Sequence, residues 1–98
     1  MTVEYLRFEV EPQQTAAFEQ AFSAAMQLLD TDETVLDYNT ARSLDEAGKY
    51  TIRIEWQSRE AQIAYKQKDD YKLFMQYIMP FVNATKEMKF YEIIQSKK

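Results

Sequence analysis

Apolar and polar residues alternate along four stretches of this 98-residue chain and recur every three or four positions along others. Leu6, Phe8 and Val10 alternate with Tyr5, Arg7 and Glu9, the period of two of a strand, over residues 3–10. Pro12 stands where a first helical turn tolerates it. Phe18, Phe22, Ala25 and Leu29 then recur at steps of four, three and four, which predicts one face of a helix over residues 13–29. Asp30, Thr31 and Asp32 form a polar stop. Residues 35–42 read as a second strand, with Leu36, Tyr38 and Thr40 on one face. Ser43 to Lys49 holds the only glycine, Gly48, and reads as a turn. In the third strand, residues 50–56, Tyr50, Ile52, Ile54 and Trp56 point one way and Thr51, Arg53 and Glu55 the other.

Ser58 is placed to cap a short helix reaching about Lys66, and Asp69 or Asp70 to cap the next. Phe74, Tyr77, Ile78 and Phe81 make one helical stripe, which Pro80 should end or kink. Residues 87–95 predict a last strand, with Met88, Phe90 and Ile94 on one side and Lys89 and Tyr91 on the other. The order is β-α-β-β-α-β, the split arrangement of an α+β, ferredoxin-like fold with a four-stranded antiparallel sheet. Right-handed crossovers put both helical segments on one face of that sheet and leave the other face open.

Composition narrows the partners. The length predicts one domain over residues 1–98, and a domain this small commonly pairs with a second copy. A homodimer is therefore expected, joined through sheet faces or strand edges. The net charge of -4, with no run of more than two basic residues, argues against nucleic acid or an anionic membrane. Neither cysteine nor histidine occurs, which predicts no zinc and no haem; no cofactor and no metal site is expected. Asp30/Asp32 and Asp69/Asp70 lack calcium-loop spacing. No apolar run approaches the roughly 20 residues of a membrane span. The first residues lack the basic and apolar regions of a signal peptide, so the cytoplasm is the expected location.

With the apolar residues turned to the helices, the open face carries Tyr5, Arg7, Glu9, Arg53, Glu55, Lys89 and Tyr91. Arg7 and Glu9 are then expected to face Glu55 and Arg53 as cross-strand ion pairs. Two readings stand side by side: a solvated face with weak pairs, or a polar-aromatic pocket closed by a second subunit. In the second, Arg7 and Arg53 would hold an anionic oxygen, Glu55 would act as a base, and Tyr5 and Tyr91 would hydrogen-bond a phenolic ligand. Tyr5 and Tyr91 could equally pack across a dimer seam. Tyr38 and Asn39 straddle the two faces of the second strand, with Asn39 a further candidate contact to substrate.

The run from Tyr50 to Ala61, with its Glu55-Trp56-x-Ser58-x-Glu60-Ala61 string, resembles the third strand and following helix of the antibiotic biosynthesis monooxygenase family. Phe74 to Val82 and Glu87 to Glu92 are similar to the usual ending of that family. The resemblance implies a dimeric α+β barrel and an oxygenase of small aromatic, polyketide-like or quinol-type molecules working without metal or flavin. It marks Trp56 as a catalytic-site residue. It also exposes departures: Ile52 stands where the aromatic-polyketide oxygenases carry asparagine, Gln62 where a histidine is common, and the histidine of the haem-degrading branch is absent. Alternation alone puts Trp56 on the helix side, as core. A non-catalytic dimeric binding module is the alternative, and an enclosed pocket rather than a filled interior would decide against it.

Overall fold

In the computed structural model, which describes residues 1–97, the alternating stretches form β1 (Thr2–Glu9), β2 (Val35–Arg42), β3 (Lys49–Trp56) and β4 (Thr85–Glu92). The helical patterns form α1 (Thr15–Gln27), α2 (Arg59–Tyr65) and α3 (Asp69–Ile78). Short 3-10 turns precede and follow α1 (Pro12–Gln14, Leu28–Thr31) and follow α3 (Met79–Ala84). The sheet is antiparallel in the order β2-β3-β1-β4, so β1 lies between the third and last strands. This is the α+β, ferredoxin-like arrangement. Among the described residues no helix is long and apolar enough to cross a membrane.

The core forms between the helices and one face of the sheet. Phe8, Tyr50, Ile52, Ile54 and Trp56 from the strands are buried against Phe18, Phe22, Ala25, Met26, Tyr65 and Phe74 from the helices. One end of this layer is filled by rings: Phe8, Phe18, Phe22, Tyr50 and Phe81 stack and tilt against one another at centroid distances of 4.4 to 6.4 Å. Pro80 sits in the turn after α3, where its missing N–H and its ring forbid another α-helical turn.

Several expectations are corrected by register and capping. Arg7 lies opposite Thr51, Glu9 opposite Lys49, Arg53 opposite Tyr5 and Glu55 opposite Val3, so the cross-strand pairs of Arg7 and Glu9 with Glu55 and Arg53 do not form. Arg7 instead reaches Glu9 two residues along its own strand, at 2.9 Å. Leu36 leaves the face of Tyr38 because β2 is bulged: Val35 pairs with Trp56 and Asp37 with Glu55, and Leu36 is the extra residue between them. Lys68, not an aspartate, is the residue before α3, while Asp69 and Asp70 occupy its first turn and act on the helix dipole. Tyr77 leans outward at 38% exposure, at the edge of its stripe. Ile94 lies past β4 and is 94% exposed; among the described residues the last backbone bond of this segment is from Ile93, which donates its N–H to Met1 O at 3.0 Å.

Candidate functional site

The end of the helix layer away from the ring cluster is hollow. As the chain leaves β3 at Trp56, Ser58 turns it into α2; its hydroxyl oxygen accepts the Ala61 N–H at 3.1 Å, and Glu60 sits in the first turn. From that start Gln62, Tyr65 and Lys66, at positions i, i+3 and i+4, share one helical face. The Tyr65 ring lies 5.4 Å from that of Trp56, centroid to centroid. On α3, Tyr71, Phe74, Met75 and Ile78 repeat the same spacing. Lys68 ties the start of α3 to the 3-10 turn after α1 through Asp32, at 3.1 Å. Between these two helical faces and Glu4, Leu6, Ile52, Ile54 and Trp56 of the sheet lies a largely apolar cavity of about 350 Å³. Met88, Val82 and Thr85 complete its wall.

The polar groups in this wall are few. Glu4 is 9% exposed and accepts the indole N–H of Trp56 at 3.0 Å. Burial pushes its carboxyl above the ordinary value, against the opposing pull of the Trp56 bond and of the Lys66 and Arg59 charges. Tyr65 is pushed up to about 12, first by burial and then by the negative charges of Asp70 and Asp32, so it remains a neutral phenol at any ordinary pH. Its hydroxyl and the Gln62 side-chain oxygen are buried with no hydrogen-bond partner among the described residues. Leaving such groups unpaired costs about 1–3 kcal/mol each. Arg59 lies over the Phe90 ring, 3.5 Å from its centroid, and Phe90 is the strand neighbour of Glu4.

The residues singled out from the sequence divide between the two faces of the sheet. Trp56 is on the helix side, 1% exposed, and belongs to both the core and the cavity wall. Core packing and a place at the pocket are therefore compatible. Arg53 and Glu55, three and one residues before Trp56, point to the opposite face, so these three side chains do not converge. Tyr5, Arg53 and Tyr91 do meet, in a shallow concavity on the uncovered face bordered by the chain after β4. Tyr5 and Tyr91 pack edge to face at 6.2 Å. Glu55 is buried near Met1 and Leu36 at one end of that face. Arg7 is held by Glu9 in solvent. Asn39 is exposed beside a polar groove between α1 and β2, where Tyr50 and Arg42 both contact Glu19.

Glu4, Gln62 and Tyr65 are thus the buried polar residues of the cavity wall, and none stands out by type. Glu4 carried a signal nonetheless: it is in phase with Leu6 and Phe8, a carboxylate on the apolar side of its strand. Gln62 and Tyr65 carried only their shared helical face.

The family model described as antibiotic biosynthesis monooxygenase matches residues 1–77. Among solved structures, a protein of Bordetella bronchiseptica provisionally named for the same activity superposes with a TM-score of 0.80 at 17% identity, covering 96% of this chain and 97% of its own. One of Caulobacter crescentus, named likewise, gives 0.81 at 20% identity, with 96% and 90% covered. A Mycobacterium tuberculosis protein gives 0.81 at 13% identity, with 99% and 98% covered. No curated protein matches.

Proposed function

Because the chain belongs to the antibiotic biosynthesis monooxygenase family, we propose that it oxidises a small aromatic, polyketide-like or quinol-type substrate with dioxygen in the cavity between the sheet and helices α2 and α3. Family and fold support the general monooxygenase-like role. The observation that carries the finer reading is the cavity itself: about 350 Å³ of partly open, mainly apolar space with a buried carboxylate on its wall. A binding module whose interior was filled by its own side chains would lack it. In this chemistry the electrons come from the deprotonated substrate; one oxygen atom enters the product and the other leaves as water. The protein's part is to hold the ring against Trp56, exclude bulk water and position a base. Glu55, the carboxylate expected from the sequence to be that base, faces away from the cavity.

Oxygen-electrode measurements with a panel of anthrones, naphthols and quinols test this reading. Protein-dependent oxygen uptake is expected for at least one of them, with a Trp56→Leu variant slower. If the same compounds quench Trp56 fluorescence yet oxygen uptake stays at the protein-free rate throughout, the binding-module alternative replaces it.

The uncovered sheet face is proposed as a homodimer surface. It carries Leu36, Tyr91 and Ile94, exposed by 42%, 50% and 94%, beside the Tyr5–Tyr91 ring pair. Burying such residues against a second copy removes apolar surface from water. Sedimentation equilibrium at micromolar concentration should return twice the chain mass; a single-chain mass would refute the dimer.

A further inference from the structure

Glu4 is an acid placed where acids are seldom found. It projects from β1 on the same side as Leu6 and Phe8, lines the cavity, and is 9% exposed. One of its oxygens accepts the Trp56 N–H at 3.0 Å. The other has no hydrogen-bond partner among the described residues. Among the described residues no cation is in contact with it. Lys66, on the cavity wall from α2, and Arg59, at the start of α2 and engaged with Phe90, act on it only through space. From β3 it meets Trp56, and from β4 its neighbour is the uncharged Phe90. From α3 the one titratable group on the wall is Tyr71, and α2 adds the neutral Tyr65. A buried carboxylate with one satisfied and one open oxygen is a proton acceptor awaiting a donor.

We propose that Glu4 takes the proton from a phenolic hydroxyl bound in the cavity. The ligand O–H bond breaks, its electron pair stays on the ligand as an aryloxide, and the proton passes to the open carboxylate oxygen of Glu4. The Trp56 N–H fixes the carboxylate in place by holding its other oxygen. The aryloxide inherits the negative charge that Glu4 gives up, so the charge facing Lys66 and Arg59 is unchanged by the transfer. Burial helps by bringing the carboxyl closer in acidity to a phenol, which narrows the uphill gap the proton must cross. This assignment rests on reading the cavity as a site for phenolic aromatics, and it makes Glu4 a catalytic residue of the proposed oxidation.

Anaerobic titration of the full chain with 4-nitrophenol, and with 4-nitroanisole, which has the same ring and no acidic proton, tests it without requiring turnover. Trp56 is the only tryptophan, so its quenching reports occupancy of the cavity, while the phenolate absorption band reports proton transfer. In the wild type, 4-nitrophenol affinity should fall on acidification as Glu4 protonates, and bound probe should show phenolate below the pH at which the free probe ionises. Glu4→Gln keeps an oxygen for the Trp56 N–H. It should lose the acid limb and the phenolate band, and bind 4-nitrophenol about tenfold or more weakly, the loss expected for a hydrogen bond to a charged acceptor. Equal affinity of both proteins for 4-nitroanisole is the expected control, showing that the cavity survives the substitution. The proposal is overturned if both proteins bind 4-nitrophenol with the same affinity, pH profile and phenolate fraction; Glu4 is then only the anchor of Trp56. If neither probe quenches Trp56, the proposal falls together with the phenolic reading of the cavity. If Glu4-dependent binding is found but no compound drives oxygen uptake, Glu4 keeps its role and the oxygenase reading alone fails.

Discussion

Replacing Phe18 by alanine should lower the unfolding free energy by about 3–5 kcal/mol, the range for removing a large aromatic side chain from a packed core. Phe18 is 0% exposed. Its ring meets those of Phe22 at 4.4 Å, Tyr50 at 4.5 Å, Phe8 at 5.3 Å and Phe81 at 5.5 Å. It is therefore the point where α1, β1, β3 and the turn after α3 lean on one another, and four rings cannot all shift to fill the space it leaves. In a domain of this size each kcal/mol moves the melting temperature by roughly 4–8 °C. A loss of tens of degrees in a thermal scan, with a matching fall in the urea midpoint, is expected. A loss under about 1 kcal/mol would show that the aromatic cluster collapses around the gap, contrary to the close packing argued above.

The second large effect is expected at Gly48, the chain's only glycine. It ends the β2–β3 hairpin at φ +82°, a left-handed conformation that costs an L-residue strain. Its carbonyl also accepts the Val10 N–H at 2.7 Å, which joins the hairpin to the chain just after β1. A Cβ at this position would lie 2.3 Å from the Val10 carbonyl oxygen. That neighbour is backbone and cannot rotate away, so the hairpin must move and the bond to Val10 must lengthen. Strain and displacement together should make Gly48→Ala cost about 2–5 kcal/mol in urea unfolding. Asparagine tolerates positive φ yet also carries a Cβ, so Gly48→Asn should not rescue stability. Rescue by asparagine would mean that the dihedral angle alone is at issue.

The uneven legibility of this protein follows from the range of the interactions concerned. The period of two in Tyr50, Ile52, Ile54 and Trp56 needs no partner to be read, because successive residues of any strand point to opposite sides. The same holds for the stripe from Phe18 to Leu29 and for the Ser58 cap, whose acceptor and donor are three residues apart. The expected Arg7–Glu55 pairing failed because strand register depends on where two distant segments are pinned. Here Glu9 is set opposite Lys49, at the start of β3, and that places Arg7 opposite Thr51. Leu36 failed for a related reason: a bulge inserts one residue into β2, and alternation counted through it ends on the wrong face.

The candidate site shows the division most clearly. The chain's alternation and helical spacing were enough to determine the β-α-β-β-α-β order, the apolar side of each strand, and the position of Trp56 on the helix side. They were also enough to put Glu4 on that side, beside Leu6 and Phe8. Only the tertiary structure decided that this side is hollow at one end, so that Trp56 is at once core and cavity wall and Glu4 borders the cavity. A cavity is the difference between the volume that packed elements enclose and the volume their side chains fill. That difference depends on how far the helices stand off the sheet, a distance no local pattern of residues encodes.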